Sequence, residues 1–95
     1  MLFSQQSFLV AGLSRSGVAA AEYLLSKGAK VTVFDDVQDG NVAVAAAALK
    51  ERGCNVAGKE DLSRRAEECD VLVLSPGIPV DHPLPVMFRR AGKRV

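Results

Sequence analysis

Apolar residues along this chain fall into two kinds of run. Phe8-Leu9-Val10-Ala11, Val31-Thr32-Val33-Phe34 and Val71-Leu72-Val73-Leu74 are short and almost continuous, the pattern of strands buried on both faces. Between them the spacing changes to three and four: Gly17, Ala20, Ala21, Leu24 and Leu25 share one helical face, with Glu22 and Lys27 off that stripe. Ser16 is the N-cap this pattern predicts. Val42 to Arg52 is alanine-rich with high helix propensity, and Leu84, Met87, Phe88 and Ala91 again mark one helical face. Gly28, Gly53 and Gly92 end these helices. Asn55-Val56-Ala57 reads as a short third strand, Asp61 to Glu68 as a short polar helix capped by Asp61 or Ser63, and Lys93-Arg94-Val95 as the start of another strand.

Strand and helix alternate throughout, which predicts an α/β fold: an open, mainly parallel sheet of about five strands with helices on both faces and right-handed crossovers. In such a sheet, ligands gather at the carboxyl ends of the strands. No repeat or linker divides the chain, so residues 1–95 are expected to form one domain. A chain of this length buries roughly two thirds of the surface it exposes when unfolded, enough for a modest core. Formal net charge is +1, and the only basic pairs are Arg64-Arg65 and Arg89-Arg90, so no nucleic-acid footprint is present. Cys54 and Cys69 stand fifteen positions apart without a C-x-x-C pair, and two buried reduced thiols are expected rather than a zinc site or disulfide framework. The segment Met1-Leu2-Phe3-Ser4-Gln5-Gln6 lacks the basic and long apolar parts of a secretory signal, and no run reaches the length of a membrane span. A cytoplasmic monomer with no membrane or nucleic-acid partner is the expectation.

Three loops should meet at the carboxyl edge. The first, Gly12-Leu13-Ser14-Arg15-Ser16-Gly17, turns from a strand into a helix N-terminus, where unpaired N–H groups favour an anion such as phosphate. Gly12 permits the turn and Gly17 lets the helix approach the sheet. Ser14 stands where the dinucleotide fingerprint has its middle glycine, which argues against a nicotinamide or flavin dinucleotide. Ser14 and Ser16 offer hydroxyl and backbone hydrogen bonds, and Arg15 is either a cation for phosphate or base or a solvated turn residue. The second loop carries Asp35 and Asp36, then Val37. Asp35 follows Gly17 by eighteen positions, near the spacing at which a strand-end acid reaches a ribose, and it could equally accept from a pyrimidine imide N–H or cap the next turn. The third, Ser75-Pro76-Gly77-Ile78-Pro79, is stiffened by prolines and offers close backbone approach at Gly77. His82 has no nearby nucleophile, so a capping place is expected for it. No G-x-x-x-x-G-K-[ST] run and no acid cluster suited to Mg²⁺ occurs, so the chain alone should not hydrolyse a nucleoside triphosphate. The residues point to a nucleotide ligand. A small NAD(P)-binding module of a dehydrogenase or transport regulator remains the alternative, and a phosphate-accepting receiver domain would lack its acid after the first strand.

Taken together, Val10 to Gly17, Gly28 to Asp35, and Asp70 to Pro79 with His82-Pro83 resemble the N-terminal domain of the Mur ligase family, in the branch that adds D-glutamate. The Ser-Pro-Gly-Ile-Pro element with its nearby His-Pro is the most specific part. The resemblance covers nearly the whole chain and implies a Rossmann-like fold. It also implies a place in an ATP-dependent amide ligase of peptidoglycan precursor synthesis, a cytoplasmic enzyme linked to cell-wall biogenesis, cell division and cell shape. This domain would bind the uridine nucleotide of UDP-N-acetylmuramoyl-L-alanine; ATP, Mg²⁺ and D-glutamate would be served by central and C-terminal domains absent from this chain. No catalytic residue and no cofactor then falls on this chain. Carried over by position, UDP contacts fall on Gly12, Ser14, Arg15, Ser16, Gly17, Asp35, Asp36, Val37, Ser75, Pro76 and Gly77, with Asp35 accepting from the uracil imide. Relatives can carry a glycine at Ser14, an apolar residue at Arg15 and a basic residue at Val37.

Overall fold

A computed structural model describes residues 6–35, 39–75, 78 and 82–95. The elements run β1 (Ser7–Ala11), α1 (Arg15–Ser26), β2 (Lys30–Phe34), α2 (Gly40–Glu51), β3 (Asn55–Val56), a 3-10 turn at Lys59–Asp61, α3 (Leu62–Glu68), β4 (Val71–Leu74) and α4 (Pro83–Arg90). The strands form one parallel sheet in the order β3-β2-β1-β4. Central β1 sets the register, with Phe8 opposite both Val31 and Val71 and Ala11 opposite both Phe34 and Leu74.

Side chains alternate along a strand, so each apolar run feeds two cores. Phe8, Val10, Val31 and Val33 meet Ala21, Leu24 and Leu49 from α1 and α2. Leu9, Ala11, Phe34 and Leu72 meet Leu62, Ala66, Leu84 and Phe88 from α3 and α4. Helices therefore cover both faces, as the unbroken runs predict. The strand count is corrected from five to four: Lys93-Arg94-Val95 contributes a single parallel bridge, Val71 with Arg94, held by the Leu72 N–H on the Arg94 carbonyl at 2.9 Å. One bridge is short of the consecutive pairs that make a ladder. The segment is also tied down by Lys93, whose Nζ donates to the carbonyls of Ala66 (2.8 Å) and Glu67 at the end of α3, a favourable place for a cation.

Two helix starts differ from the sequence reading. Ser14, not Ser16, is the N-cap of α1; its carbonyl accepts from the Val18 N–H at 2.9 Å while its side chain makes no capping bond. The chain leaves Gly12 with φ of 97°, and that turn brings Arg15 directly into helical conformation. The second helix begins at Gly40 rather than Val42, because the Asp39 carboxylate accepts from the Val42 N–H at 2.8 Å and caps the first turn. At α4 the N-cap is His82, buried, with Nδ1 accepting from the Leu84 N–H at 3.2 Å and its ring edge-on to Phe34. Cys54 and Cys69 are free and buried. Among the described residues no helix is long and apolar enough to cross a membrane.

Candidate functional site

The carboxyl ends of β1, β2 and β4 are drawn together by two glycines and a few hydrogen bonds. The Gly12 N–H donates to the Phe34 carbonyl at 2.7 Å, so the chain crosses toward the end of β2 as it leaves β1. A Cβ at Gly12 would lie 2.6 Å from the Ser75 Cβ, and one at Gly17 would lie 1.9 Å from the Gly12 carbonyl oxygen. The turn, the start of α1 and the end of β4 touch in this way only because both positions lack a side chain. Ser75 is buried, donates its N–H to the Ala11 carbonyl at 2.9 Å, and accepts from the Ile78 N–H at 3.0 Å.

Side chains close the arrangement. Leu13 in the glycine turn donates its N–H to Asp35 Oδ2 at 2.7 Å, so the strand-end acid is hydrogen-bonded to the first loop. The Ser14 hydroxyl meets the Ser75 hydroxyl and lies 3.2 Å from that of Ser16. Gly12, Ser14, Ser16, Gly17, Asp35 and Ser75 are thus assembled as one group. Arg15 is exposed on the first turn of α1, without an ion pair among the described residues. Asp36, Val37, Pro76 and Gly77 lie outside the described residues.

These groups surround a cleft of about 260 Å³ bounded by Gly12, Ser14, Asp35, Asp39, Ser75 and Ile78, with Leu13 and Val42 beneath. One side presents hydroxyls and the N-terminus of α1, groups that donate to an anion. The other presents the carboxylates of Asp35 and Asp39, which only accept when ionised. The matching ligand carries an anion at one end and N–H or O–H donors at the other. Asp39 and Ile78 were missed as site residues; the aspartate before an alanine-rich helix was the available signal for Asp39, since an N-cap of this second helix must sit at the carboxyl edge. Also unforeseen is a larger cavity of about 490 Å³ behind Asp35, between α2 and the end of β3. Among the described residues no group of three or more His, Cys, Asp or Glu is placed to hold a metal ion.

A parallel sheet in this order, with a glycine turn after β1 and an acid after β2, defines the chain as a Rossmann-like α/β structure. Solved structures agree. The chain is similar to the D-lactate dehydrogenase of Aquifex aeolicus complexed with NAD and lactic acid (TM-score 0.59, 30% identity, 78% of this chain and 19% of that one). It also resembles TP0037 of Treponema pallidum, a D-lactate dehydrogenase (TM-score 0.61, 22% identity, 85% of this chain and 21% of that one). Within this class the assignment is narrower: the family model for the Mur ligase MurD-like N-terminal domain matches residues 6–95, and the chain belongs to that family. Among curated proteins it is 36% identical over 84 residues to the UDP-N-acetylmuramoylalanine--D-glutamate ligase of Koribacter versatilis, covering 88% of this chain and 18% of the relative. It is 39% identical over 97 residues to that of Geobacter metallireducens, covering 100% and 21%. The chain spans about a fifth of the length of these relatives, and the resemblance carried by the three motifs is borne out.

Proposed function

We propose that this chain is the uridine-nucleotide-binding domain of a longer ligase that acts on UDP-N-acetylmuramoyl-L-alanine and D-glutamate. The observation that supports it best is the junction of Leu13 with Asp35 and of Ser14 with Ser75, which fixes a donor-lined and an acceptor-lined side of one cleft in a chain of this family. The diphosphate lies over Ser14, Ser16 and the first turn of α1, with Arg15 above it and the Gly77 loop alongside. The uracil end lies toward Asp35, whose carboxylate can accept more than one hydrogen bond and so takes the imide N–H besides that of Leu13; Asp36 and Val37 border the base. ATP and Mg²⁺ would supply the activation of the substrate carboxylate in the parts of the relatives that this chain does not span. On this reading the chain alone is a cytoplasmic, monomeric binding domain without catalytic groups.

NAD(P) binding is the second reading, favoured by the likeness to the NAD-complexed dehydrogenase. Against it stands the Ser14 side chain, which projects toward Ser75 where a dinucleotide-binding turn keeps bare backbone. A ¹⁵N-HSQC titration with UDP, uridine and NAD⁺ separates the two. Saturable shifts at Ser14 to Gly17, Asp35, Ser75 and Ile78 with UDP, and none with NAD⁺, are expected; preferential response to NAD⁺ overturns the proposal.

A further inference from the structure

The larger cavity is distinct from the nucleotide cleft in shape and lining. At about 490 Å³ it falls in the size range of small-molecule sites. Its walls are apolar: Phe34 and Leu13 at the sheet, Val42, Ala43 and Ala46 from α2, and Ala57 after β3. Its two ionisable groups, Asp35 and Glu60, are both carboxylates. The Glu60 carboxylate lies against the backbone of Gly58, since a Cβ built on Gly58 would be 2.7 Å from Oε1. The ion pairs of the described side chains leave Glu60 out; neighbouring Asp61 is taken by Arg64 at 3.4 Å.

An apolar slot whose polar end only accepts hydrogen bonds, and carries negative charge, is complementary to a flat apolar group with a cationic, donor-bearing edge. We propose that this cavity is a second ligand site, taking a planar amidinium or aromatic ammonium whose ring lies between α2 and Ala57 and whose N–H groups reach Glu60 and Asp35. Neutral ligands lose the charge-assisted bonds and anionic ones are repelled. This site does not depend on the nucleotide reading, because its ring pocket is built from α2 and β3 rather than from the serine loops.

The test is a ¹⁵N-HSQC titration of the whole chain with three isosteres, benzamidine, benzamide and benzoate, in the wild type and in Glu60→Gln. Saturable shifts at Ala43, Ala46, Ala57 and Gly58 with benzamidine are expected, with benzamide weaker by roughly fivefold or more and benzoate silent. Glu60→Gln, at an exposed position, should keep the spectrum of the folded chain and weaken benzamidine by a similar factor. Equal response to all three compounds, shifts confined to other residues, no saturable response, or an unchanged benzamidine affinity in Glu60→Gln would each overturn the proposal. A parallel UDP titration, read at Ser14, Ser75 and Ile78, reports on the nucleotide cleft alone, so the two readings fail independently.

Discussion

Replacing Gly17 with alanine would place a methyl group 1.9 Å from the Gly12 carbonyl oxygen, an overlap that only a shift of α1 or of the turn relieves. Urea denaturation of Gly17→Ala should show a loss of about 2 kcal/mol or more. Gly40→Ala, where a Cβ meets nothing within 4 Å, should stay within about 0.5 kcal/mol of the wild type or gain slightly. Asp35→Asn separates structure from recognition at one atom. The amide oxygen still accepts from Leu13, so the denaturation midpoint should barely move. The lost charge-assisted bond should weaken UDP binding by roughly tenfold by calorimetry; an unchanged affinity would mean that Asp35 serves the turn alone. Arg15→Ala should weaken UDP more than uridine, and equal effects on both would remove Arg15 from the diphosphate. At this scale Gly12, Gly17 and Asp35 were legible from type and spacing. The Leu13 to Asp35 bond was not, because it exists only in the parallel register that sets Ala11 beside Phe34.

Among the elements, α2 shows where local pattern falls short. Alanine repeats give high propensity but no sharp beginning, and the start at Gly40 is set by the Asp39 carboxylate on the Val42 N–H. Asp39→Ala should therefore cost about 1 kcal/mol, while Asp39→Asn, an equally good cap, should be nearly neutral in thermal unfolding. The three buried strands were legible because continuous β-branched runs have few alternatives. Two-residue β3 was barely so, and the cavity between α2 and β3 not at all, since Ala43, Ala46 and Ala57 carry no signal until tertiary packing brings them face to face. Glu60 lacked one for the same reason. The exposed Glu22–Arg52 pair joins α1 to α2 but is expected to add at most about 1 kcal/mol.

For the molecule as a whole, stability rests on two cores that share one sheet. Leu84, fully buried against α3 and β4's face, should cost about 2–5 kcal/mol when cut to alanine. Burial raises the thiol pKa of both Cys54 and Cys69, more than nearby cations lower it. The folded state then keeps protons that the unfolded chain releases from about pH 8.5 upward. This contribution is complete below that pH and is lost as pH climbs through the folded-state values. The urea midpoint should fall between pH 7.5 and 10, and fall less in a variant with both cysteines changed to alanine.

The all-parallel order of the sheet also sets a timetable. Phe8 in the central strand pairs with Val71, sixty-three residues later in the sequence, and no hairpin offers it a nearer partner on that side. At ribosomal speed that interval lasts about 3–13 s. Throughout it, one edge of β1 stands without its neighbour on the nascent chain, and the second core cannot close before β4 and α4 have emerged.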